Sequence, residues 1–78
     1  MSDQYYNEVK KSIEKGIQIM NSNEDVEAYL NSFSSLELVV IKIQTESAIS
    51  RIPEGSLERN RLDIFLDILN SVQNRRRI

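Results

Sequence analysis

The sequence contains no cysteine and no histidine, and only one proline and two glycines. Each shortage excludes something. Without cysteine there is no disulfide framework and no thiolate metal site. Without histidine the commonest zinc ligand and the usual base of a catalytic triad are missing. So few glycines and prolines argue against an all-β chain built on tight turns. Long apolar runs are missing too. The longest, Leu38-Val39-Val40-Ile41, is far shorter than the roughly 20 residues that span a bilayer. Met1-Ser2-Asp3-Gln4 is polar and acidic, without the basic and apolar regions of a signal peptide, so the expected location is cytoplasmic and no membrane partner is expected.

What remains is a 78-residue chain, enough for a single domain over 1–78. A core of this size supplies only about 3–5 kcal/mol unless something staples it. With disulfides and the common metal ligands excluded, self-association is the remaining route to extra stability. The formal net charge of −2 is unevenly spread, with the acidic excess in residues 1–40 and a basic excess in 41–78 that ends in Arg75-Arg76-Arg77. A chain of net negative charge is not a general coat for nucleic acid, because such binding comes from neutralising phosphates.

Helical periodicity recurs in four segments, about 3–20, 24–33, 35–52 and 57–74. In the first, Tyr6, Val9, Ile13, Ile17 and Met20 form one apolar stripe, with Ser2 placed as its N-cap. Gly16 lies at the edge of that stripe. It is either a weak spot near the helix end or the place where a neighbouring backbone comes close. Asn21-Ser22-Asn23 breaks the pattern, and Ser22 is the expected cap of a short second helix carrying Val26, Tyr29, Leu30 and Phe33. Ser34 and Glu37 have capping-box spacing, with Phe33 and Leu38 placed as a hydrophobic staple, and Pro53 stops the third helix. Leu36, Val39, Val40 and Ile43 form one apolar face of that helix, and Leu38, Ile41, Ala48, Ile49 and Ile52 lie nearly opposite. A helix apolar on both sides is expected to be central, with neighbours on each. A strand through 36–43 is the competing reading, given its β-rich composition. The polar continuation Gln44-Thr45-Glu46-Ser47 favours helix. After the turn Pro53-Glu54-Gly55-Ser56, the fourth helix carries a main stripe of Leu62, Phe65, Leu66, Leu69 and Val72. A second row, Leu57, Ile64 and Ile68, sits beside it. The expected architecture is therefore all-α: a compact three- or four-helix bundle with a central antiparallel hairpin of helices three and four, dimeric, with a flexible basic tail at 75–78.

Chemistry is harder to find. Ser12 and Lys15 have the spacing of a Ser–Lys nucleophile but lie on a polar flank. Asp63 and Asp67 are one turn apart among asparagines, a solvated face rather than an acid–base pair. Two glycines cannot make a phosphate-cradling loop. No catalytic residue, metal ligand, cofactor or small-molecule substrate is indicated. The expectation is a small regulator, inhibitor or adaptor that binds a protein partner or itself, with Leu57, Ile64 and Ile68 at the interface. The arginines Arg75, Arg76 and Arg77 complement the helix dipole, and they are also the candidate contact for an anion or acidic partner. The alternative is a dimeric nucleic-acid-binding regulator that uses these arginines, assisted by Arg59 and Arg61.

With no histidine or cysteine, no side chain has an unperturbed pKa between about 5 and 8. Folding stability from urea titrations is expected to be nearly flat over that interval. A sharp transition inside it would show that a carboxylate or lysine is held far from its ordinary range.

Overall fold

The computed structural model describes residues 2–76, which form four helices: α1 (Ser2–Asn21), α2 (Val26–Asn31), α3 (Ser35–Arg51) and α4 (Leu57–Arg76). There is no strand among the described residues, so the β-rich run 36–43 is helix. Its start is well defined. The Ser34 hydroxyl accepts the Glu37 amide at 3.1 Å while the Glu37 carboxylate accepts the Ser34 amide at 2.8 Å. This reciprocal box satisfies two amides that a helix start otherwise leaves unpaired.

The cap of α2 differs from expectation. Asn23 takes a positive φ of 61°, which asparagine tolerates, and turns the chain after α1. Because α1 runs on to Asn21, Ser22 is still within its reach, and the Ser22 hydroxyl donates back to the Gln18 carbonyl at 2.9 Å. Asp25 caps α2 instead, accepting the Ala28 amide at 3.2 Å. The helix is only six residues long and would not persist alone. Burial of Val26 and Leu30 holds it in place.

Between α3 and α4, Gly55 has φ +86°, the left-handed value that this turn needs and that a side chain would strain. Ser56 caps α4, its hydroxyl accepting the Arg59 amide at 3.2 Å. The Arg59 guanidinium donates to the Ile52 carbonyl at 3.1 Å, and at the far end Arg76 reaches Ser35. Contacts at both ends make α3 and α4 an antiparallel hairpin, and their interface is the most extensive in the molecule.

The core draws on every helix: Val9 and Ile13 from α1, Val26 and Leu30 from α2, Leu38 and Ile41 from α3, and Leu62, Phe65, Leu69 and Val72 from α4. Thr45, from the polar continuation of α3, is fully buried with them. Its hydroxyl donates to the Ile41 carbonyl one turn back at 2.7 Å, so nothing polar is left unpaired there.

The expectation that α3 is covered on both faces fails. α1 and α4 pack on its inner face, while α2 packs on α1 and α4. No element remains for the outer face, and Leu36, Val39 and Ile43 stand in solvent.

Gly16 is buried at a close crossing, and what approaches it is a side chain rather than a backbone. A Cβ there would meet the Phe65 ring, 3.0 Å from Cζ and closer still to Cε1. Phe65 has no exposed surface, so its ring cannot give way by turning out into solvent without leaving the core. Gly16→Ala should lose stability, because overpacking of about 1–3 kcal/mol outweighs a gain of about 1 kcal/mol in helix propensity. Urea unfolding measures the balance. A stabilised alanine variant would show that the ring can yield.

Candidate protein-binding surfaces

The second row of α4 does not behave as one unit. Leu57 and Ile64 project into solvent, at 63% and 51% exposure. Ile68 is half-buried and packs against the core. It lies only about 40° around the helix from buried Val72, near enough to share the core edge. Of the expected interface Leu57–Ile64–Ile68, two residues are therefore available and the third belongs to the fold.

A second apolar row lies on α3, where Leu36, Val39 and Ile43 are 74%, 43% and 55% exposed. Their i, i+3, i+7 spacing is that of a coiled-coil seam. The α3 and α4 rows are separate. α4 meets α3 through the flank that carries Arg59 and Gln73, and Leu57 and Ile64 sit roughly opposite that flank.

The arginine run is not a free tail over its described part. α4 continues through Arg75 and Arg76, while Arg77 and Ile78 lie outside the described residues. Cations in the last turn suit the negative end of the helix dipole. Arg75 pairs with Glu27 across the α2–α4 contact. Arg76 donates to the Asn31 carbonyl at 3.1 Å and to the Ser35 hydroxyl at 3.4 Å. The Asn31 carbonyl ends α2 and has no acceptor role within that helix, so Arg76 closes the helix end.

Between the start of α3 and the end of α4 is a notch of about 560 Å³, lined by Ser35, Val39, Lys42, Asn70, Gln73, Asn74 and Arg76. Its lining holds two cations, three carboxamides and no carboxylate. A groove of about 490 Å³ lies between α1, the end of α3 and the start of α4. Its floor is apolar (Ile13, Ile17, Ala48, Ile52, Leu62), and Lys10, Glu14, Arg51 and Glu58 balance one another at the rim.

The Ser12 hydroxyl donates to the Glu8 carbonyl, and the Lys15 ammonium sits 5.9 Å over the Tyr29 ring. Asp63 and Asp67 are both exposed. Among the described residues no cluster of three or more acidic, histidine or cysteine side chains is placed to hold a metal ion, and no helix is long and apolar enough to cross a membrane. No family of known proteins, no curated protein and no solved structure matches this chain.

The two isoleucines of α4 should separate cleanly in thermal unfolding. Ile64→Glu, at an exposed position, should change stability by less than about 0.5 kcal/mol, whereas Ile68→Glu should lose about 1–3 kcal/mol. Equal losses would mean that Ile64 is also part of the core.

Proposed function

We propose that this chain is a small protein–protein interaction module, a regulator, inhibitor or adaptor that binds a protein partner through apolar helix surface. The observation that carries the reading is the pair of exposed apolar rows, Leu36–Val39–Ile43 on α3 and Leu57–Ile64 on α4. Exposed apolar residues in ordered rows mark interaction sites more often than scattered ones do. Two separate rows also suit an adaptor, which must hold two surfaces at once, and either row can serve a second copy of the chain. The nucleic-acid alternative has less behind it: the net charge is −2, Arg75 is paired with Glu27, and Arg59 donates to the Ile52 carbonyl at the turn before α4.

Affinity capture from the native cell tests this reading, with the wild-type chain and the double variant Val39→Glu/Ile64→Glu as parallel baits. Both positions are exposed, so the variant should keep its fold by circular dichroism. A partner enriched by the wild type and lost with the variant is the expected result. Identical captures by the two baits would overturn the reading.

A further inference from the structure

We propose that the outer row of α3 and the notch beside it form one docking surface for an acidic amphipathic segment of a partner protein. The proposal rests on the reading of the chain as a binding module, and it adds a place and a partner chemistry.

One residue joins the row to the notch, and two observations give the notch its charge. Val39 belongs to both: it is the middle residue of the exposed row and lines the notch wall. The notch is cationic without internal compensation. Lys42 and Arg76 line it, no carboxylate does, and the ion pairs among the described residues involve Arg59 and Arg75 only. In a chain of net charge −2, that is a local reversal of sign. The Arg76 guanidinium is also held in place by the Asn31 carbonyl and the Ser35 hydroxyl. These are neutral acceptors, so its charge stays available, and N–H donors remain free for a carboxylate. Asn70, Gln73 and Asn74 add amide donors around it.

The row has the width of a helix seam, so its natural complement is one apolar helix stripe. A segment lying along α3 with apolar residues at i, i+3 and i+7 would cover Leu36, Val39 and Ile43. The flank of that segment over the notch would need carboxylates. A second copy fits less well. In an antiparallel two-fold pairing each flank of α3 meets the same flank of its mate. Setting Leu36 against Ile43 of the second copy, the register that covers the whole row, leaves the two Lys42 side chains on the same flank about 7.5 Å apart along the axes. Like charges so juxtaposed oppose association. The groove at the other end of α3 has a charge-balanced rim and selects neither sign.

The test is a nuclear magnetic resonance titration of the ¹⁵N-labelled full chain with two synthetic amphipathic peptides. Both carry the same Leu/Ile stripe, one with glutamates and the other with lysines on the flanking positions. The glutamate peptide should shift the amides of Leu36, Val39, Lys42, Ile43, Asn70 and Gln73, and the lysine peptide should bind at least about tenfold more weakly, a difference of roughly 1.4 kcal/mol. Lys42→Glu should remove that preference, Val39→Glu should abolish binding, and Ile64→Glu should leave it unchanged. The proposal is overturned if the peptides bind alike, if neither binds at about millimolar concentration, or if the shifts fall on α4 around Leu57 and Ile64. It is equally overturned if the free protein dimerises through α3, which would make the occupant a second copy. Those failures leave the broader binding-module reading standing, because partner capture through the α4 row would be unaffected.

Discussion

The Phe65 ring packs against the bare backbone of Gly16, and the arrangement of the helices depends on that contact. It brings α1 down onto α4 more closely than any side chain at that position would allow. From there Val9 and Ile13 of α1 join the buried cluster with Leu38 and Ile41 of α3 and the main stripe of α4. A small domain has only one interior to fill. Once α1 and α4 occupy the inner face of α3, the remaining six-residue α2 is too short to cover another face, and its buried residues are committed to the same core.

The exposed apolar surface follows from that limit. α3 carries apolar residues on two sides, and the chain has enough helix to bury only one of them. The outer row is therefore a consequence of how few elements there are, and its exposure is the feature that makes a partner necessary to the reading. Electrostatics adds direction. The arginines at the end of α4 secure α2 and the start of α3, and in doing so Arg76 lends an unneutralised charge to the notch beside Val39. A contact that stabilises the fold thus also shapes the surface next to the open row.

Much of this was legible in the residues. The capping box of Ser34 and Glu37, the stop at Pro53 and the turn at Gly55 are local signals, each satisfied by atoms within a few residues, and they place the helices within a residue or two. The main stripe of α4 was legible from its helical period. Ile68 was not, because its burial depends on how far the core edge reaches around the helix and not on its place in a row. Asp25 replaced Ser22 as the cap of α2 because α1 ran longer than its apolar stripe. Thr45 belongs to the polar continuation of α3, yet its back-bond to Ile41 lets it lie in the core.

Composition and periodicity by themselves determined that the chain is helical, where α3 and α4 begin, and that histidine and cysteine are missing. These are properties of short stretches and of residue inventory. Only the tertiary structure decided which face of α3 is buried. Both faces are apolar and periodicity cannot rank them. The choice depends on which neighbours reach α3, and that is set by the close crossing at Gly16 and by the scarcity of helix left over.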